Sequence, residues 1–338
     1  MSSRLLKNAA FSNILIVVPS VLRKDAPSTY HAFFNEPAPC ALRPVGEGLQ
    51  NRGDLSMKKR TLLSVAVLPV MLAVTGCDQS GDPNPDLETP RAGRCFVSTS
   101  PDYTEPGPYG WEIRQAGEYD VYVPRDAGKG CDQFPLIGFA MGTGVPPVNY
   151  TRFYKHFASW GMGVVVDPTN IINLGGAPLE KALQKVYDDP GLGHRVLTTG
   201  VIGHSQGGAA VVSVAQADNV NVSAVVGLMP ALFHFDVPMN AAGLWIGGLN
   251  DLFGFATDPA RPFRLTEGPG FIADMEDVGH NVGLLLADNK PFISLSTAWF
   301  RCHLAGDSRA CSLFEASRKA DGACLFPGTY ARCEGKNL

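Results

Sequence analysis

The chain has 338 residues, with 28 Lys and Arg against 32 Asp and Glu, so its formal net charge is −4. Residues 77–338 carry 19 basic and 28 acidic side chains, a net charge of −9. No basic cluster stands out in this part of the sequence, so nucleic acid and anionic lipid are not expected as partners. This part, about 260 residues, is long enough for one large α/β domain.

Residues 57–76 have the pattern of an export signal. The segment 57–60, MKKR, is positively charged, residues 61–74 are largely apolar, and Gly76 and Cys77 follow. This order is typical of a secretory signal peptide, and its end resembles a bacterial lipobox, in which Cys77 becomes the lipidated first residue. A short membrane anchor or a core helix is the alternative, but the apolar run is too short to span a bilayer comfortably. We therefore expect an exported lipoprotein, anchored to a membrane in the periplasm or at the cell surface.

The position of the export signal divides the rest of the chain into a segment before it, a tether and a folded domain. Because a signal peptide begins a protein, we expect translation to start at Met57 and residues 1–56 to be a mis-assigned leader; a genuine leader is the alternative. Residues 77–93 are polar and rich in proline, which predicts a flexible tether. Residues 94–338 remain for the folded domain.

Six cysteines belong to this exported part: Cys95, Cys131, Cys302, Cys311, Cys324 and Cys333. An even number in an exported chain predicts three disulfides and leaves many connectivities possible. Their positions favour a Cys95–Cys131 pair, with the last four cysteines paired among themselves. Because no C-x-x-C or H-x₃-H spacing occurs, no metal site is expected.

Apolar strand patterns alternate with helical patterns along residues 119–304. The predicted strands are 119–124, 134–140, 162–166, 196–202, 222–228, 243–247 and 270–275. The predicted helices are 150–160, 179–187, 208–215 and 292–304. This alternation predicts an α/β fold built on a doubly wound, mostly parallel sheet.

The segment 203–208, GHSQGG, lies between a predicted strand and a helix of small residues. In this context G-x-S-x-G forms a nucleophile elbow, a sharp turn that holds a serine hydroxyl above the carboxyl edge of the sheet. Glycine at 203 and 207 removes Cβ atoms that would collide in so tight a turn. Ser205 is therefore the candidate nucleophile, although the motif alone is common and can occur by chance.

A serine nucleophile needs a base, and the base needs an acid that orients it. After such an elbow the acid comes next in the chain and the histidine last. Three histidines follow the elbow: His234, His280 and His303. His280, just past the last predicted strand, is the candidate base. Asp251, in the loop after strand 243–247, is the candidate acid, with Asp258 and Asp277 as competitors.

The glycine-rich loop 142–144 follows the predicted strand 134–140 and ends at the same edge of the sheet. An oxyanion hole needs the N–H of the residue after the nucleophile and a second N–H from this loop. Gln206 and Thr143 are the candidate donors. The alternative interpretation is that the loop is a plain turn without a role in an oxyanion hole.

Four segments carry a family resemblance: GHSQGG at 203–208, IGGLND at 246–251, GH at 279–280 and TAWF at 297–300. They resemble the bacterial cutinase-like polyester hydrolases and the wider dienelactone-hydrolase, chlorophyllase and platelet-activating-factor acetylhydrolase branch of the α/β hydrolases, over roughly residues 119–314. The resemblance implies an α/β-hydrolase catalytic domain at 94–338 without a lid domain. It also implies hydrolysis of a small-molecule or polymeric ester without a cofactor, with Ser205 as nucleophile, Asp251 as acid and His280 as base.

The resemblance also implies which residues surround the substrate: Thr143, Gln206, Pro230, Ala231 and Phe233. Polyester hydrolases usually carry an aromatic residue at the position of Thr143 and a tryptophan at that of Ala231. An aromatic clamp is therefore missing unless Phe233 or Phe235 supplies it, and we expect short aliphatic esters to be preferred. A monomer is expected. The rival hypothesis is a non-catalytic surface lipoprotein that binds a ligand on the same scaffold.

Overall fold

The computed structural model describes residues 95, 102–125, 131–168, 175–217, 219–231, 238–253, 258–280, 289–319 and 324–338. The predicted leader, signal peptide and tether lie outside the described residues, as do Cys77, Phe233, His234 and Phe235.

Within the described residues, nine strands form one sheet. They are β1 (Gly110–Ala116), β2 (Tyr119–Arg125), β3 (Phe134–Ala140), β4 (Gly163–Val166), β5 (Val196–His204), β6 (Ala224–Leu228), β7 (Ala242–Gly248), β8 (Gly270–Met275) and β9 (Tyr330–Lys336). Their order across the sheet is β1-β2-β4-β3-β5-β6-β7-β8-β9. Strands β3 to β8 run parallel, whereas β1, β2 and β9 are antiparallel to their neighbours. The predicted α/β organisation and mostly parallel sheet are confirmed.

The helices of the described residues are α1 (Thr151–Ser159), α2 (Ala177–Asp188), α3 (Gln206–Gln216), α4 (Ala260–Leu265), α5 (Lys290–Ala305) and α6 (Ser308–Lys319). Along the chain, α1 to α4 lie between parallel strands, and α5 and α6 lie between β8 and β9. Short 3₁₀ turns lie at Pro147–Tyr150 and Gly193–Arg195.

The central strands are buried on both faces, which explains their continuous apolar sequences. All residues of β3, β4 and β6 are buried. On one face, the ring of Phe139 in β3 packs against Tyr150, Phe153 and Tyr154, with centroids 4.9 to 6.0 Å away. This aromatic cluster fixes the start of α1 against the strand that leads into the loop 142–144.

The helix α5 is buried along most of its length, including one charged side chain. The guanidinium of Arg301 lies 3.2 Å from the carboxylate of Asp307, and both side chains are only 3% exposed. Arg301 also donates to the carbonyl oxygens of Cys95 and Trp160. A buried charge is tolerated when it is paired and hydrogen-bonded in this way.

Three disulfides join the six cysteines of the domain. The pairs are Cys95–Cys131, Cys302–Cys311 and Cys324–Cys333, with Cα atoms 4.2, 4.9 and 5.5 Å apart. The predicted first pair, and the pairing of the other four among themselves, are confirmed. Disulfides are typical of proteins exported to an oxidising compartment. Among the described helices, none is long and apolar enough to span a membrane.

The sheet and its covering helices extend beyond the predicted elements. The edge strands β1 and β9 and the helices α4 and α6 were not anticipated. Both edge strands have polar sequences, GWEIRQA and YARCEGK, because one long side of an edge strand faces solvent. Neither sequence contains the apolar run by which the central strands are recognised.

Candidate active site

The turn between β5 and α3 is a strained elbow centred on Ser205. Its φ is 55° and its ψ is −119°, a conformation that costs a non-glycine residue about 1–3 kcal/mol. Three backbone hydrogen bonds of Ser205 stabilise this strained conformation. The Ser205 N–H donates to the carbonyl of Leu228 at 3.0 Å, and its carbonyl accepts from Gly208 at 2.9 Å and Ala231 at 2.8 Å. These bonds hold the side chain above the sheet edge and place Ala231 directly beside the elbow.

Small residues are required around this turn. A Cβ on Gly203 would collide with the carbonyl of Gly207, and one on Gly207 would collide with the carbonyl of Ala140. A Cβ on Gly208 would collide with Pro230, which therefore lies against the start of α3. The glycines allow the helix to approach the strands closely enough for its N-terminus to lie next to the serine hydroxyl.

Ser205 belongs to a hydrogen-bonded chain of three side chains. Its Oγ lies 2.8 Å from Nε2 of His280, and Nδ1 of His280 lies 2.8 Å from Oδ2 of Asp251. The side chains of His280 and Asp251 are 11% and 3% exposed. Because a carboxylate can only accept, Nδ1 carries the imidazole proton and Nε2 is free to accept one from the serine. The arrangement can therefore generate a nucleophilic alkoxide.

Of the three candidate acids, Asp251 is the one that contacts the imidazole. Asp251 follows β7, and its second oxygen accepts the N–H of Phe253 at 2.8 Å. The competitor Asp258 is half exposed and accepts the N–H of Ala260, while Asp277 accepts from Asn250 at 3.4 Å. The structure brings Asp251, and neither competitor, to the imidazole.

The third histidine, His303, lies away from the elbow in α5. Its ring packs on that of Trp299 with centroids 4.1 Å apart. Burial lowers the pKa of His303 to about 4, so it is neutral at pH 7. It is a packing residue.

The two predicted oxyanion residues meet beside the elbow. The hydroxyl of Thr143 donates to the side-chain carbonyl of Gln206. Gln206 is the first residue of α3, and an N–H at this position has no acceptor within its own helix. Together the loop 142–144 and the helix start can present N–H groups to a developing negative charge.

An aromatic side chain lies beside the imidazole of His280, and the sequence analysis did not predict it. The ring of Phe253 lies 4.9 Å from that of His280 and is 51% exposed. Leu249 and Leu252 on the same loop are also exposed, as is Val148 beyond the loop 142–144. The available signal was the set of large apolar residues in the loop sequence that follows β7: Leu249, Leu252, Phe253 and Phe255. The ring of Phe253 can contact an apolar part of a molecule bound next to the imidazole.

A separate cavity of about 920 Å³ lies between α1 and the β1–β2 hairpin. Its lining includes four cationic side chains and one carboxylate: Arg125, Arg152, Lys155, Lys290 and Glu105. The sequence shows no basic cluster because these cations come from separate segments. Ser205, His280 and Asp251 do not line this cavity, so it is not the cleft above the nucleophile.

Among the described residues, no group of three or more His, Cys, Asp or Glu side chains is arranged to hold a metal ion. A scan against protein-family models finds none that matches this chain. A search of curated proteins likewise returns no match. The family resemblance carried by the motifs therefore stays a prediction.

Proposed function

We propose that this protein is a serine hydrolase of the α/β-hydrolase fold that cleaves carboxylic esters. The observation that carries the proposal is the unbroken hydrogen-bonded chain from Ser205 through His280 to Asp251, with the serine at positive φ. The strand–elbow–helix geometry and the chain order serine, aspartate, histidine support the assignment of the fold.

The geometry supports a two-step acyl transfer. As Ser205 Oγ attacks the ester carbonyl carbon, His280 Nε2 takes the hydroxyl proton. The N–H groups of Thr143 and Gln206 stabilise the oxyanion of the tetrahedral intermediate. Collapse expels the alcohol, which receives the proton from His280. Water, deprotonated by the same imidazole, then attacks the acyl-enzyme and releases the acid, while Asp251 keeps the imidazole in the correct tautomer.

The proposed substrates are short aliphatic esters. Thr143 and Ala231 are small, so these two positions do not carry the aromatic pair of the polyester hydrolases that the chain resembles. Phe253 is the described aromatic side chain that contacts the catalytic imidazole. We expect one apolar group of the ester to pack against this ring.

Phe253→Ala should therefore raise KM for p-nitrophenyl butyrate by about fourfold or more, because each CH₂ group of the acyl chain that loses this buried contact costs about 0.8 kcal/mol. The effect should shrink for the acetate ester, whose acyl group is smaller. Ile113→Ala is the matched control, since Ile113 is 47% exposed but lies on the edge strand β1. Equal KM values for Phe253→Ala and wild type would contradict the proposed contact.

Labelling with a fluorophosphonate tests the proposed activity directly. The probe should phosphonylate Ser205 in the purified protein, and mass spectrometry should find the added mass on the peptide that contains it. The rival function, ligand binding without catalysis, predicts no labelling and no ester turnover.

We also propose that the protein is exported and anchored through a lipid on Cys77. The three disulfides support export. Mass spectrometry of the protein purified from membranes tests the anchor, because the mature chain should begin at an acylated Cys77. An unmodified cysteine within a longer chain would contradict it.

A further inference from the structure

Two buried side chains connect the loop on one side of the nucleophile to the base on the other. They are Tyr150, at the start of α1, and His204, the residue before Ser205; they are 0% and 1% exposed. The hydroxyl of Tyr150 lies 2.7 Å from Nδ1 of His204. Nε2 of His204 lies 3.0 Å from the carbonyl oxygen of His280. At the other end, the N–H of Gly142 donates to the Tyr150 oxygen at 3.2 Å.

The donor and the acceptor in each of these three hydrogen bonds can be deduced from the chemistry of the groups. A carbonyl can only accept, so Nε2 of His204 is the donor to His280. A neutral imidazole has one N–H, so Nδ1 accepts the proton of the Tyr150 hydroxyl. The tyrosine oxygen is then left to accept from Gly142. All three bonds are satisfied by a single arrangement of protons.

This series of hydrogen bonds keeps the same arrangement of protons across ordinary pH. Burial, together with the neighbouring His280, lowers the pKa of His204 to about 3, so its imidazole stays neutral. Burial raises the pKa of Tyr150, so its hydroxyl stays protonated. Neither side chain is available as an acid or a base for the reaction.

The contact with the loop is close as well as hydrogen-bonded. A Cβ on Gly142 would lie 2.7 Å from Nδ1 of His204 and 3.3 Å from the Tyr150 oxygen. The loop backbone therefore rests directly on the tyrosine–histidine pair. The aromatic ring of Phe139 packs against Tyr150 from below, with centroids 5.1 Å apart. Packing against the sheet therefore positions Tyr150 and His204, and these two side chains position the loop 142–144.

We propose that Tyr150 and His204 are positioning residues that fix the spacing between the loop 142–144 and the backbone of His280. This role rests on the proposed function, because the two ends of the chain are the oxyanion loop and the catalytic base. Both must reach the same carbonyl group in the transition state. Because the bound ester carries no oxyanion and the charge develops only as the serine attacks, loss of the spacing should lower kcat and leave KM nearly unchanged.

Tyr150→Phe tests this role while keeping the buried ring. We expect kcat for p-nitrophenyl butyrate to fall by about 10- to 100-fold, as a small misplacement of catalytic groups does, with KM within twofold of wild type. Tyr154→Phe is the matched control. Tyr154 is also buried in α1 and also packs on Phe139, but its hydroxyl has no hydrogen-bond partner among the described residues. Its kcat should be unchanged.

His204→Gln provides the conservative rescue, since its amide N–H₂ can still donate to the carbonyl of His280, whereas His204→Leu cannot. We expect kcat to fall less in the Gln variant than in the Leu variant. A kcat in Tyr150→Phe within twofold of wild type would overturn the proposal. Equal losses of kcat in Tyr150→Phe and Tyr154→Phe would also overturn it, because they would indicate a general packing effect.

Amide hydrogen exchange separates this proposal from the proposed function. In Tyr150→Phe the Gly142 amide should exchange about tenfold faster than in wild type, because it has lost its acceptor. In Tyr154→Phe its rate should not change. Wild-type protein that cleaves no ester would refute the proposed function, yet the exchange rates would still decide whether the pair holds the loop. Unchanged exchange in Tyr150→Phe would refute the positioning role.

Discussion

Ser205→Ala should lower kcat for p-nitrophenyl butyrate by about 10⁶-fold, as removal of the nucleophilic serine does in a serine protease. The reason is the 2.8 Å contact between Ser205 Oγ and Nε2 of His280, which no alanine can replace. The remaining turnover should come from the oxyanion hole and substrate binding alone. Because alanine tolerates positive φ no better than serine, the elbow remains strained to a similar degree and Tm should change little.

The measurement is steady-state kinetics together with circular dichroism and fluorophosphonate labelling. Ser213→Ala is the matched control, since Ser213 lies on α3 about two turns after Gln206, and its hydroxyl donates to the carbonyl of Ala209. That variant should keep its activity and its labelling. Turnover near the wild-type level in folded Ser205→Ala would contradict the serine-hydrolase proposal.

Asp251→Asn should lower kcat by about 10⁴-fold while preserving the shape of the site. The asparagine amide can donate to Nδ1 of His280, which would move the imidazole proton to Nε2. The imidazole would then present a donor to Ser205 and could not accept its proton. KM should change much less than kcat, because Asp251 is only 3% exposed and lies behind the imidazole.

Asp258→Asn and Asp277→Asn are the controls for this second prediction. Both carboxylates lie in neighbouring loops and make other hydrogen bonds. Neither substitution should lower kcat by more than about twofold, as is usual for surface positions. A loss of 10³-fold or more in either variant, with Asp251→Asn active, would show that the acid has been assigned wrongly.

The central part of the fold could be predicted because strands that are buried on both faces have continuous apolar sequences. Strand β3 is apolar at every position, and β8 has the predicted bounds. The candidate nucleophile, acid and base could also be named, because each follows a buried strand that ends at one edge of the sheet. The meeting of Ser205, His280 and Asp251 in space is a consequence of that shared edge.

Features that depend on contacts between distant segments could not be predicted. Tyr150 and His204 are 54 residues apart. Nothing in the sequence around a tyrosine in an amphipathic pattern indicates which side chain it will bond to. Phe253 was missed because exposed apolar residues in loops carry no periodicity. The buried pair of Arg301 and Asp307 was missed because a charged residue in a helix is normally expected at the surface.

The two polar edge strands affect how copies of this protein behave in concentrated solution. An exposed edge strand is a template for pairing with a second chain, and charged side chains on that edge oppose such pairing. Strand β1 carries the exposed ion pair Glu112 and Arg114, and β9 carries Arg332, Glu334 and Lys336. Desolvating these charges would make edge-to-edge growth of the sheet unfavourable. The protein should therefore resist β-aggregation even though its interior strands are almost entirely apolar.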